Sequence, residues 1–203
     1  MVSEVESMKT ILYIDGRNTL GKMATIFTSE NQPVPAWNTY NFKGLLAKVL
    51  EGITIDEMVF YFAKIKEHPD TKDKSQALIQ ARRLLKTALE KQGFKVILAG
   101  VVRGNIAKDA RGKEILVFKE KGVDVSIAVD MVSAACDGNV KTAILASSDS
   151  DLQPAIREIT KRNVESIYLG FELQQNKGLT ATTKRTILIR NSEVLAYVES
   201  KLL

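Results

Sequence analysis

The chain has 203 residues, 45% of them apolar and 26% charged, which suits one globular domain with a full core. Its net charge of +5 permits a polyanionic partner without requiring one. The lone cysteine rules out a disulfide framework and all but excludes a cysteine-based zinc site, and a Ser-His-Asp triad or histidine metal centre would have to rest on His68 alone.

Residues 1–10 carry Glu4 and Glu6 and no apolar core, so they read as a flexible start and not as a signal peptide. No apolar run approaches the length of a membrane span, and the cytoplasm is the expected location. The run Ile11, Leu12, Tyr13, Ile14 predicts a central parallel strand that ends on Asp15 and Gly16. Positions 20–35 are polar, with Gly21, Pro33 and Pro35, and predict a loop. A helix is expected over 41–50 and a strand over 57–65. His68 falls in a polar turn and reads as solvated surface.

Positions 72–92 predict a long helix whose inward stripe is Ala77, Ala81, Leu84, Leu85 and Ala88, stopped by Gly93. A strand over 94–102 leads into a basic loop over 104–112, and 113–121 predicts an edge strand or hairpin arm. Positions 122–137 predict a helix with Cys136 as a small core residue. Strands follow at 140–146 and 164–169, separated by a helix over 152–162. The tail over 173–183 is polar. A short strand at 187–189 and a last helix to 198, capped by Asn191 or Ser192, end the chain. Strands alternating with helices predict a three-layer α/β fold with a mainly parallel central sheet and right-handed crossovers.

The acids carry the functional signal. Asp149 and Asp151 follow the apolar run 143–146 at once, at the carboxyl end of a predicted strand, where ligands bind in open α/β sheets. Asp151 can serve as a helix cap with Pro154 in the first turn; Asp149 has no such role by position. Asp15 ends the first strand, although alone it is equally a turn-forming Asp before Gly. Asp124 begins a helix on the same face as Ile127, Ala128, Met131 and Ala135, so it faces the core side, where an unpartnered carboxylate is costly. Asp130 falls on the polar face and reads as solvated or as supporting the others. Four acids from two strand tips and a helix start converge on one point in this arrangement, and an all-oxygen set suits Mg²⁺ or Mn²⁺ and not Zn²⁺. Such sites act on phosphodiesters, and the basic residues Arg17, Arg103, Lys108, Arg111, Lys113 and Lys121 stand ready to hold a backbone.

Tyr13-Ile14-Asp15-Gly16-Arg17-Asn18, Lys121-Gly122-Val123-Asp124 through Asp130, and Ser147-Ser148-Asp149-Ser150-Asp151-Leu152-Gln153-Pro154 occur in that order. Together they resemble the NYN subgroup of PIN-like ribonucleases over about 11–171, with 172–203 expected to pack on the same domain. The resemblance implies a PIN-like (Rossmannoid) fold and a Mg²⁺- or Mn²⁺-dependent endoribonuclease acting on single-stranded RNA. It implies metal binding by Asp15, Asp124, Asp149 and Asp151 and support of Asp15 by Asn18. Arg17, Arg103, Lys121, Ser147 and Ser148 are expected at the substrate. Ser148 stands where the family usually has glycine and Leu152 where it has an aromatic residue; neither change removes a ligand. A binding adaptor with the same fold is the alternative. An aspartyl-nucleophile phosphatase is disfavoured, because Arg17 occupies the place of its second acid.

Overall fold

Apolar strands with side chains alternating between two buried faces build the centre of the molecule. The structure, a computed structural model, describes residues 8–67, 72–108, 112 and 114–198, with positions 74, 103–108 and 114–119 described by backbone alone. Its strands are β1 (Lys9–Asp15), β2 (Glu57–Lys64), β3 (Lys95–Lys108), β4 (Glu114–Lys121), β5 (Val140–Ala146), β6 (Glu165–Phe171) and β7 (Arg185–Ile189). They form one sheet in the order β4-β3-β2-β1-β5-β6-β7, parallel throughout except for the antiparallel β3–β4 pair.

The period-2 alternation of each strand feeds two cores. Leu12, Ile14, Phe60, Phe62, Ile144 and Ala146 face one core, closed by α1 (Gly16–Ser29), α2 (Phe42–Val49), α3 (Lys72–Lys91) and α7 (Asn191–Ala196). Ile11, Tyr13, Val59, Tyr61, Ala143 and Leu145 face the other, closed by α4 (Val123–Cys136), α5 (Gln153–Lys161) and α6 (Lys177–Thr182). Each fully buried side chain of this kind stabilises the fold by about 1.5–3 kcal/mol. The three-layer α/β architecture is the expected one.

β1 is the pivot. The chain leaves it through β2 and β3 on one side and returns to its other side at β5, so the strand order reverses between β1 and β5. Their register pairs Ile14 with Ala146, which sets Asp15 level with the loop that begins at Ser147. That crevice, outside the carboxyl ends of the strands, is the place such a sheet offers to a ligand.

Several local expectations are corrected. Positions 20–29 are not loop: α1 runs to Ser29, because Thr19, Met23, Ile26 and Phe27 make a buried stripe at helical spacing. That stripe and the Asp15 cap outweigh the cost of Gly21, about 1 kcal/mol. The inward face of α3 is shifted from the expected one. Ser75, Leu85 and Leu89 are buried and Arg82 lies half-buried among them, while Ala77, Ala81 and Leu84 are exposed. The basic loop expected over 104–112 is strand as far as Lys108; Arg111 and Lys113 lie outside the described residues, as does His68. The polar stretch 173–183 contains α6, and the cap position of α7 is Arg190, not Asn191 or Ser192; Glu193 accepts the Arg190 N–H at 2.9 Å. Cys136 is exposed at the end of α4 and not in the core. The first strand begins at Lys9, inside the segment expected to be flexible, with Thr10 N–H donating to Asp56 at 2.7 Å. Among the described residues no helix is long and apolar enough to cross a membrane.

Candidate metal centre

Three loops meet above the β1–β5 crevice. Asp15 closes β1 in an extended conformation and caps α1, its Oδ1 accepting the Asn18 N–H at 3.0 Å. Its Oδ2 accepts from the Ser147 hydroxyl at 3.4 Å. Asp124 is the second residue of α4, where the helix N-terminus favours negative charge. The start of α4 is placed by Gly100 and Gly122, both left-handed. A Cβ on Gly100 would stand 2.1 Å from the Lys121 carbonyl oxygen, so only glycine lets β4 end that close to β3.

Asp149 caps a single 3-10 turn, Ser150–Leu152, with its Oδ1 accepting the Asp151 N–H at 2.9 Å. This reverses the sequence expectation, in which Asp151 was the capping acid and Asp149 had no structural role. Pro154 sits in the first turn of α5, as its fixed φ allows.

Carboxylate oxygens of Asp124, Asp149 and Asp151 lie within 4.8 Å of one another. Two of the three residues are half-buried and Asp151 is exposed. Ligand oxygens on opposite sides of a Mg²⁺ ion are about 4.2 Å apart, from a metal–oxygen distance of about 2.1 Å. Only one pair of three ligands can be opposite, and adjacent ligand oxygens are about 3.0 Å apart, so oxygens up to 4.8 Å apart close on a hard divalent cation with inward side-chain shifts of about 1 Å. The donor set, oxygen without sulfur or imidazole, fits such an ion. Asp15 stands outside the trio. It lies on the floor of the same cleft, about 680 Å³ in volume, which Asp124 and Asp149 also line.

The Asp15 carboxyl is held above the usual carboxylate range, first by burial and further by the charges of Glu120 and Asp149. The hydrogen bonds from Asn18 and Ser147 work in the opposite direction. Asn18 does more than support Asp15. Its side-chain oxygen accepts from the Ser148 N–H at 3.0 Å and from the Ser148 hydroxyl at 2.9 Å, tying α1 to the acid-bearing loop. The Ser147 hydroxyl also accepts the Asp149 N–H at 3.2 Å. Both serines, expected at the substrate, are thus turned into the scaffold. Arg17 and Lys121 are exposed on the cleft wall. Arg103 lies on β3, and its side chain is outside the described residues.

Asp130 is not in the cluster. It accepts from the Tyr61 hydroxyl at 2.8 Å, and burial and that bond together push the Tyr61 phenol upward.

Charged residues at and beside the cleft were missed by sequence reasoning. Glu120 and Lys22 line the cleft, and Arg82 pairs with Glu120. The Arg82 guanidinium lies 3.9 Å from the centre of the Phe62 ring and 3.6 Å from Glu120. Burial works against its charge, Glu120 offsets part of that, and Arg17 adds repulsion. Its Nη1 is buried with no hydrogen-bond partner among the described residues. Glu120 was legible in principle, as a carboxylate directly before the quoted Lys121-Gly122-Val123-Asp124. Arg82 was hidden by the misplaced stripe of α3.

Residues 9–190 match the family model described as NYN domain. No curated protein matches the chain. A solved structure described as "The crystal structure of a hydrolase from Pseudomonas syringae" is similar at 14% identity, over 93% of this chain and 96% of that one, with a TM-score of 0.25. A score that low carries no argument about fold or chemistry.

Proposed function

Because the chain belongs to the NYN domain family, of PIN-like ribonuclease type, we propose that it is a Mg²⁺- or Mn²⁺-dependent endoribonuclease whose cleft receives single-stranded RNA. The observation that carries this reading is the trio Asp124, Asp149 and Asp151, delivered by two separate elements to one point at the reversal of strand order. A divalent cation at this trio supplies electrostatic stabilisation to a phosphodiester undergoing displacement.

The chain's own residues do the rest. Asp124, Asp149 and Asp151 hold the cation, and Asp15 adds negative charge from the floor. Asn18 and Ser147 fix the loop on which Asp149 and Asp151 stand. Arg17 and Lys121 attract and position phosphates on the cleft wall, where contacts carry little sequence information. Lys22 is held by the Gln174 side chain at 2.7 Å and keeps a third cation near the rim.

The test uses the purified full chain and an end-labelled single-stranded RNA. Cleavage is expected with Mg²⁺ or Mn²⁺, and it disappears with chelator and in Asp124→Asn with folding retained. RNA left intact under both metals overturns the proposal, and RNA bound but uncut identifies a binding adaptor instead.

A further inference from the structure

The loop from Ser147 to Gln153 carries two of the three clustered acids, yet its hydrogen bonds to α1 fix it from one side only. The opposite side is held by α6, a short helix in a stretch with no role so far. The Asn176 side chain spans the two. Its Nδ2 donates to the Ser148 carbonyl at 2.8 Å, and its Oδ1 accepts the Leu179 N–H at 2.9 Å, capping α6. Its own N–H donates to the Tyr168 hydroxyl at 3.3 Å.

The other end of α6 reaches the far end of the same loop, where the Thr182 hydroxyl shares its proton between Gln153 Oε1 at 3.0 Å and the Gly178 carbonyl at 2.7 Å. Two glycines leave room for these contacts. A Cβ on Gly170 would stand 2.6 Å from the Tyr168 hydroxyl, and one on Gly178 would stand 2.9 Å from the Gln153 amide nitrogen. So one helix grips Ser148 and Gln153, the residues that bracket Asp149 and Asp151.

We propose that Asn176 is a positioning residue of the acid cluster, setting the Ser148 peptide and through it the direction of the Asp149 and Asp151 carboxylates. The proposal rests on the metal-binding reading above for its consequence, and on the hydrogen bonds alone for its mechanics. Outer hydrogen-bond partners of metal ligands are worth about 10- to 100-fold in metal affinity. Loss of the Asn176 donor is expected near the lower end of that range, because Asn18 still holds Ser148 from the other side.

Asn176→Ser separates the two jobs of the side chain. Serine still caps α6 but is too short to reach the Ser148 carbonyl. The full-length variant is compared with the parent by thermal unfolding, by Mn²⁺ titration calorimetry, and by hydrogen exchange of the Asp149 and Asp151 amides in metal-free buffer. Expected are a melting temperature within about 2–4 °C, as for a change of about 1 kcal/mol, faster exchange at both amides, and Mn²⁺ binding weaker by about tenfold. Thr182→Val, acting at the other end of the loop, is expected to give the same pattern more weakly.

Unchanged exchange in Asn176→Ser overturns the proposal, as does unchanged Mn²⁺ affinity in a parent that binds the ion; Asn176 is then only a helix cap. If the parent takes up no Mn²⁺ while the variant still loosens both amides, the metal reading fails and the positioning role stands.

Discussion

Three carboxylates within 4.8 Å repel one another until a cation joins them, and Asp149→Asn makes that repulsion measurable. At 4.8 Å in water each pair costs about 0.9 kcal/mol, and Asp149 takes part in two pairs. Screening at physiological salt, with a Debye length of about 8 Å, brings the sum to about 1 kcal/mol. Asparagine keeps an oxygen for the Asp151 N–H and remains a good cap, so the local turn survives. In chelator, Asp149→Asn is therefore expected to melt about 2–4 °C above the parent. Saturating Mn²⁺ reverses the order. At a hundred times its dissociation constant the ion stabilises the parent by about 2.7 kcal/mol, or about 5–10 °C, and leaves the variant nearly unmoved. Differential scanning calorimetry of both proteins in both buffers provides the check. A variant that melts below the parent in chelator, or that gains as much from Mn²⁺ as the parent does, refutes the reasoning.

The other expectations concern the surroundings of the trio. Gly16→Ala places a methyl group 2.1 Å from the Phe62 ring, which cannot retreat between the stacked Phe60 ring and the Arg82 guanidinium. Overpacking of this kind costs about 1–3 kcal/mol, to be read as a lower urea midpoint at unchanged slope. Asp15 has its carboxyl raised in the folded state, so the fold binds that proton more readily than the unfolded chain does. Its charge lowers metal-free stability as pH rises from the ordinary value of 3.8 through the raised one. Asp15→Asn should flatten the stability–pH curve in that window, and an unchanged curve would show that burial does not strain this acid. Asp130→Asn is expected to disturb the contact with Tyr61, with a stability change of about 1 kcal/mol by urea titration. It should leave Mn²⁺ affinity unchanged, and a large loss of affinity would place Asp130 in the metal centre after all.

What the sequence made legible follows from how local each signal is. The strands were readable because most are compact apolar runs, and their alternation with helices gave the mainly parallel sheet; the strand order that sets β1 beside β5 was not legible. Asp149 was readable because it directly follows a strand, and Asp124 because it faces the core side of a helix start; Asp151 was readable only beside them, since by position it also serves as a helix cap. The failures were long-range. α1 looked like loop because its composition is polar with Gly21 inside and Pro33 and Pro35 beyond, while the buried stripe that makes it a helix, together with the Asp15 cap, is recognisable only once packed against the sheet. The face of α3 was misassigned because alanines marked a plausible stripe, while the true inward face includes Arg82, whose partners Phe62 and Glu120 come from distant strands. Asn176 was invisible for the same reason: its partner Ser148 lies 28 positions away.

The central claim is that Asp124, Asp149 and Asp151 share one divalent cation. A crystal of the protein soaked in Mn²⁺ and measured at the manganese absorption edge tests it most directly. The account predicts an anomalous peak within about 2.3 Å of an oxygen from each of the three side chains. A map with no peak at the trio, or with the ion held elsewhere in the cleft, would contradict it.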